Sequence, residues 1–314
     1  MRTLIVGAGA TGGYYGARLA ESGADVTFLV RPARAEKLAA KGLVVRSPLG
    51  DLTLSDPPTV TADRLAQSGA FDLVLLSCKA YDLASALDDL APAVGSDTAI
   101  LPVLNGMCHL DALDARFGPE RVLGGSCAIA ATVTADGAIR HMSELCSITY
   151  GERDGSRSTR IEAIDGLMRG LKFQPRLSDV VLLEMWEKWV FLATLAGATT
   201  LMRAAIGDIV GSPGGAAFIA DLHTECTAVA TASGFPPRSV VAERARAQLT
   251  AAGSTFTASM LRDIENGGRI EADHVIGDLI ARGRRLVPEA TFPILDQVYT
   301  ALKAYEARRA REAA

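Results

Sequence analysis

The sequence is poor in cysteine. It has five in 314 residues, and Cys78, Cys108, Cys127, Cys146 and Cys226 stand far apart. An odd, scattered set with no CxxC and no cysteine–histidine pairing argues against a disulfide framework or a zinc site. Reduced thiols point to a cytoplasmic address. An excess of basic charge is also missing. A net charge of −4 and a pI of about 5.7 lack the cationic surface that a duplex requires, so no nucleic-acid partner is expected. No apolar stretch reaches the roughly 18 residues of a membrane helix; the densest, Trp189–Ala198, is much shorter. The opening MRTLIVGAGA begins a strand-like run two residues in and leaves no room for a signal peptide ahead of it. The four histidines, His109, His141, His223 and His274, show no ligand spacing, so no metal is expected.

What remains is an ordinary globular chain, 49% hydrophobic and 22% charged, of a length that suits about two domains. The first half alternates strand and helix. Leu4–Val6, Val26–Val30, Phe71–Ser77 and Ile100–Leu104 read as strands, and Thr11–Ser22, Ala33–Lys41 and Tyr81–Leu90 as helices. Continuous apolar runs such as Phe71–Ser77 fit parallel strands buried on both faces. Leu43–Val45 and Leu52–Leu54 read as a hairpin around Pro48–Asp51. Val122–Ala135, Ile139–His141 and Ser147–Tyr150 read as later strands, with turns at Asp136–Gly137 and Gly151. The pattern predicts an α/β domain with a doubly wound, Rossmann-like parallel sheet over residues 1–176. From Ser178 or Asp179 onward the apolar spacing is helical, with breaks at Gly211–Gly215, Gly234–Pro237, Asn266–Gly268 and Pro288, so an all-α domain is expected over residues 177–314. Gly13, Gly16 and the apolar C-terminal helices suit either a domain contact or a subunit contact. A homodimer is therefore one of the two open states.

The strongest motif is Gly7-Ala8-Gly9-Ala10-Thr11-Gly12, directly after a strand and directly before a helix. Gly7 makes the tight turn, Gly9 lets the backbone approach a pyrophosphate, and Gly12 lets helix and strand pack closely. The N–H groups at the helix start then face the phosphates. The second strand ends in Arg31, nineteen residues past Gly12, and no acid stands at its tip. A guanidinium matches a 2′-phosphate in charge and geometry, with Arg34 as a possible second ligand, so NADP(H) is favoured over NAD(H).

Two more residues follow strands at the ligand-binding edge of such a sheet: Lys79, and Asn105 before Gly106. In the helical half, Lys188 lies in Glu184-Met185-Trp186-Glu187-Lys188-Trp189, after which the helix turns apolar on all sides. Loss of solvent there would lower the lysine pKa and make it a usable proton donor. The plainer reading pairs it with Glu184, four residues earlier. A further segment, Ser259-Met260-Leu261-Arg262-Asp263 followed by Asn266-Gly267-Gly268 and Glu271-Ala272-Asp273, reads as helix, glycine stop, helix.

Taken together and in order, these segments resemble the ketopantoate reductase (2-dehydropantoate 2-reductase) family over nearly the whole chain. The carriers are Gly7–Gly12, Ser77-Cys78-Lys79-Ala80, Leu104-Asn105-Gly106-Met107, Trp186-Glu187-Lys188 and the segment from Ser259 to Asp273. The resemblance implies an NADPH-dependent reductase of a 2-oxo acid, with ketopantoate the leading substrate. It implies Lys188 as the catalytic proton donor, and Lys79 and Asn105 as a pair lining cofactor and substrate. Ser259 would contact the substrate carboxylate. Glu271 would approach the cofactor, and Ala130 would supply a backbone contact to it.

Two departures stand beside Lys188. The family commonly has asparagines four and eight residues after that lysine; here those places hold Leu192 and Ala196 on the same helix face. Ile270 also stands where a threonine is common. A site that hydrogen-bonds a substrate hydroxyl selects for it by about 10⁴–10⁵ in favourable cases. The loss of two amides therefore points to a less polar 2-oxo acid or another carbonyl compound as an alternative. A non-catalytic NADP(H) sensor is the alternative outside enzymes.

Overall fold

The computed structural model describes Met1–Ala313. The chain forms two compact units, one of Met1–Leu104 with His109–Val181, the other of Asn105–Cys108 with the chain from Leu182 onward. In the first unit, β1 (Thr3–Val6), α1 (Ala10–Glu21), β2 (Val26–Leu29) and α2 (Pro32–Lys41) alternate as expected. Then come β3 (Leu43–Arg46), β4 (Leu52–Leu54), β5 (Thr59–Val60), the short α3 (Ala62–Leu65), β6 (Leu73–Leu76), α4 (Leu83–Leu90) and β7 (Ala99–Pro102). α5 (Cys108–Phe117), β8 (Gly124–Val133), β9 (Ile139–Gly151), α6 (Thr159–Met168) and β10 (Gln174–Leu177) complete it.

Five strands make a parallel sheet in the order β5-β2-β1-β6-β7. β1, β6 and β7 are buried at every position, which is why they read as unbroken apolar runs. The remaining strands form a second, mixed sheet, β10-β9-β3-β4 with β8 on β9. The strand pattern alone did not separate it from the first. The β3–β4 hairpin is antiparallel as expected, but it belongs to this second sheet. Ile139–His141 and Ser147–Tyr150 are parts of one strand, and Gly151 ends that strand instead of turning it. Arg176, near which the domain boundary was expected, lies within β10, paired in parallel with β9.

α1 lies hard against these sheets. A Cβ at Gly16 would stand 2.5 Å from the Phe28 ring and 2.9 Å from Ile5, and one at Gly13 would collide with Ile139. Both glycines therefore serve packing inside the first unit, correcting the expectation that they serve a domain or subunit contact.

The second unit is helical among the described residues. It holds α7 (Val181–Met202, whose first residue belongs to the first unit), α8 (Ile206–Val210), α9 (Gly215–Ala232), α10 (Ser239–Leu249) and α11 (Ser259–Glu265). A π-helical turn at Asp273–Gly277 leads into α12 (Asp278–Leu286), and α13 (Pro293–Ala313) follows. Breaks fall at the four expected places, and two more that were not expected interrupt the helices, at 203–205 between α7 and α8 and at 250–258 between α10 and α11. The helix expected after Glu271, however, opens with that wider turn. α9 packs against α12 and α13. Glu225 of α9 accepts the Ile294 and Leu295 amides at 3.0 and 2.8 Å, satisfying two donors that a helix start leaves open. Among the described residues no helix is long and apolar enough to cross a membrane.

Gly16→Ala should lower the unfolding free energy by about 1–3 kcal/mol, the usual cost of an added methyl in a filled core. A denaturant midpoint unchanged from the parent would show that α1 can lift off the sheet without cost.

Candidate active site

The carboxyl ends of β1, β2 and β6 are level, with Val6 opposite both Leu29 and Leu76. A cavity of about 840 Å³ opens in the first unit there, large enough for a sizeable ligand. Gly7, Ala8 and Gly9 line it. Gly7 has φ +92°, and a Cβ at Gly7 or Gly9 would meet no protein atom within 4 Å, so the space over the loop is free for a pyrophosphate. A Cβ at Gly12 would instead collide with the Gly7 carbonyl oxygen and Ser77 Oγ. The loop thus separates two demands: room above Gly7 and Gly9, and contact beneath Gly12. These residues fit a dinucleotide. Ala10, Thr11 and Gly12 form the first turn of α1 and stay out of the cavity wall.

Arg31 lines the cavity from the start of α2, ahead of Pro32. Its side chain is 71% exposed and pairs with Asp82 at 3.1 Å. Arg34 also reaches the wall, but its guanidinium is engaged in a structural tie. Nε and Nη2 donate to the Ala8 carbonyl at 3.2 and 3.0 Å, and Nη1 to that of Gly137 at 3.1 Å. Burial pulls its pKa below the ordinary value. Arg34 therefore braces the glycine loop instead of adding a phosphate ligand. Lys37, one turn further along α2, supplies a third cation in the wall. Sequence reasoning missed it, although its i+3 spacing from Arg34 put it on the same face. Asp63 and Asp89 also face the cavity.

Lys79 and Ala130 lie outside the cavity wall. Lys79, half-buried, precedes the 3₁₀ turn Ala80–Asp82 that follows β6. Ala130 sits where the β8–β9 pairing shifts between Ile129, opposite Cys146, and Ala131, opposite His141. This irregularity leaves Ala130 without a cross-strand partner, a device often found beside active sites.

Asn105, Lys188, Ser259 and Glu271 all fall in the second unit. Three contacts draw their neighbours together. Trp189, next to Lys188, donates its indole N–H to the Val275 carbonyl at 2.9 Å, within the π-turn that follows Glu271. A Cβ at Gly106 would lie 2.5 Å from the His274 carbonyl oxygen, so the Asn105 loop lies on that same turn. The Ala258 amide, just before Ser259, donates to Thr199 Oγ1 of α7 at 3.4 Å. Ser259 is exposed at the first position of α11, Asn105 is half-buried and Glu271 is buried.

The charges around Lys188 settle one alternative. Glu184 and Glu187 are 8% and 6% exposed, and both turn to Arg238. Glu187 accepts from the Arg238 backbone amide, Nε and Nη2 at 2.9, 2.8 and 2.5 Å, and Glu184 accepts from Nη2 at 3.4 Å. The Glu187 carboxylate holds the guanidinium protonated well above its ordinary value. Lys188 is half-buried and, among the described residues, has no ion-pair partner. The simple Glu184–Lys188 surface pair is therefore not formed.

A glycine loop over an open cavity at the edge of a parallel sheet defines a dinucleotide-binding protein. Comparison with known proteins narrows the class. Residues 3–155 match the profile described as "Ketopantoate reductase PanE/ApbA", and residues 180–306 that of its C-terminal region. The chain is 38% identical over 309 residues to an uncharacterized oxidoreductase, YkpB, of Bacillus subtilis (strain 168), covering 98% of this chain and 100% of that protein. It is 31% identical to a 2-dehydropantoate 2-reductase of Mesorhizobium japonicum, covering 95% of each. The crystal structure of 2-dehydropantoate 2-reductase from Geobacter metallireducens GS-15 superposes with a TM-score of 0.87 at 29% identity, over 97% of this chain and 99% of that one. The chain belongs to the ketopantoate reductase family, and it is an oxidoreductase.

Two variants test this site. Gly9→Ala meets no protein atom, so its stability should stay within about 0.5 kcal/mol of the parent while NADPH affinity, read by fluorescence titration, falls. Arg238→Met should cost about 2–3 kcal/mol. That is below the full penalty for breaking a buried pair, because Arg238 is partly open to solvent. Recovery of the denaturation midpoint in Arg238→Met/Glu187→Gln would confirm that the stranded carboxylate is the cause.

Proposed function

We propose that the chain reduces a 2-oxo acid to the 2-hydroxy acid with NADPH, Lys188 giving up the proton. Ketopantoate is the leading substrate within the family, which would place the reaction in pantothenate biosynthesis; a less polar 2-oxo acid is the alternative. The observation that carries the reading is Lys188 itself. It is an ammonium left half-open on a mostly buried stretch of helix, with the adjacent carboxylates bound to Arg238.

Gly7, Ala8, Gly9 and Arg31, with Lys37, would hold the dinucleotide, and Ala130, Lys79, Asn105 and Glu271 would complete its contacts. When bound, the reduced nicotinamide supplies a hydride to the carbonyl carbon. As negative charge grows on the carbonyl oxygen, the Lys188 ammonium stabilises it and then transfers a proton to it. Ser259 would take the substrate carboxylate, with Lys79 and Asn105 beside the carbonyl. The absence of an acid at the end of β2 supports NADPH over NADH, because a carboxylate there would repel a 2′-phosphate. Asp82, now paired with Arg31, would have to yield it to that phosphate.

Lys188→Ala should cut turnover by at least about a hundredfold, the scale of a lost general acid, with a much smaller change in NADPH affinity. Near-parental turnover would remove the mechanism. Arg31→Ala should weaken NADPH far more than NADH. Equal losses, read from the two dissociation constants, would show that Arg31 does not meet the 2′-phosphate.

A further inference from the structure

From Glu184 to Thr200, α7 is buried at every position except Lys188, Phe191 and Leu192. These three are spaced i, i+3 and i+4, so they form one patch on the helix surface. The single open window on this stretch sets an ammonium beside two apolar side chains. Phe256 extends that window. Its ring lies over Phe191, with centroids 6.1 Å apart and planes 30° apart, and still it is 44% exposed.

A lone exposed hydrophobe needs no explanation. Phe256 differs because the backbone on both sides of it is pinned. Its carbonyl accepts the Ile206 amide at 3.0 Å, the neighbouring Ser254 carbonyl accepts that of Gly207 at 2.8 Å, and Ala258 is tied to Thr199 of α7. Ser259 follows three residues later. The second unit thus sets a cation beside a fixed aromatic–aliphatic surface. Ala196, the other place where the family commonly has asparagine, is 1% exposed, so Leu192 is the departure that a ligand would meet.

We propose that Phe256, with Phe191 and Leu192, is the surface that reads the substrate's side chain, and that the substrate is a 2-oxo acid carrying an apolar branched-alkyl or aryl group. This rests on the reading of Lys188 as proton donor. An apolar substituent laid on these rings leaves water together with them. The hydroxyl of ketopantoate would find no hydrogen-bond partner among these three side chains, and an unpaired polar group is penalised.

The test is NADPH oxidation by the full-length protein with four acids: ketopantoate, pyruvate, 4-methyl-2-oxopentanoate and phenylglyoxylate. The parent should favour the last two over ketopantoate in kcat/KM by about tenfold or more, the scale of an apolar pocket's discrimination. Phe256→Ala should lower the ratio of phenylglyoxylate to pyruvate by about tenfold. Phe256→Tyr should keep that ratio, and Leu192→Asn should move preference toward ketopantoate. A parent that prefers ketopantoate, or a Phe256→Ala variant that affects all four acids equally, would overturn the proposal. If Lys188→Ala abolishes turnover while Phe256→Ala leaves the ratio intact, only the side-chain assignment fails. If Lys188→Ala retains turnover, or no acid is reduced by the parent, the proposed reaction fails and this assignment with it.

Discussion

The approach of α1 to β1 is the constraint on which the nucleotide half depends. A helix can offer its first amides to a phosphate only if its N-terminal turns lie close to the strand that precedes it. Here the Gly12 Cα lies against the Gly7 carbonyl and Gly16 against Phe28, with no room for a methyl at either place. The same compression leaves the space above Gly7 and Gly9 empty of protein. Arg34 then ties the loop at Ala8 to the β8–β9 turn at Gly137, so the floor of the cavity is braced from two sheets. Packing beneath and vacancy above are two results of one choice of residues.

The helical unit solves a different problem. An ammonium near apolar surface attracts any carboxylate within reach, and a firm pair would hold its proton. Glu184 is at the right spacing to form such a pair. Arg238 engages it, and takes Glu187 with three hydrogen bonds, so two buried negative charges are offset by a cation from another segment. The cost is an ionic cluster in the core, and such clusters contribute little net stability. The cluster leaves Lys188 without a carboxylate partner among the described residues, as the proposed proton donor requires.

Much of this was legible in the chain. Strands buried on both faces read as apolar runs, the glycine loop marked the first turn, and the helix breaks fell at Gly211–Gly215, Gly234–Pro237, Asn266–Gly268 and Pro288. What escaped was long-range. Nothing local distinguishes β8 and β9 from strands of the first sheet, because sheet membership is set by pairing across the chain. β5 and β10 are too short or too polar to show a period. The engagement of Arg34 by backbone carbonyls and of Glu184 by Arg238 also depends on residues far away in sequence. The local reading gave Glu184 to the nearest lysine and Arg34 to a cofactor phosphate, whereas the fold gives each a partner far away in the chain. The π-turn after Glu271 has no local signature, but it carries the carbonyl that Trp189 binds.

The proposed assignments put chemistry and selectivity on separable residues of this scaffold. Proton transfer needs an ammonium at one position. On the proposal above, substrate choice would depend on what neighbours it at i+3 and i+4 on the helix and on the segment ahead of α11. In the proposed reaction, Leu192 would offer a substrate hydroxyl no partner and would leave the proposed proton donor, Lys188, in place. The pinned backbone around Phe256 makes the same point from the other side of the window, since its shape is set by α8 and Thr199 independently of Lys188. A family that holds its dinucleotide loop and lysine in place can therefore change substrate by exchanging a few side chains around one opening, at little cost to the fold.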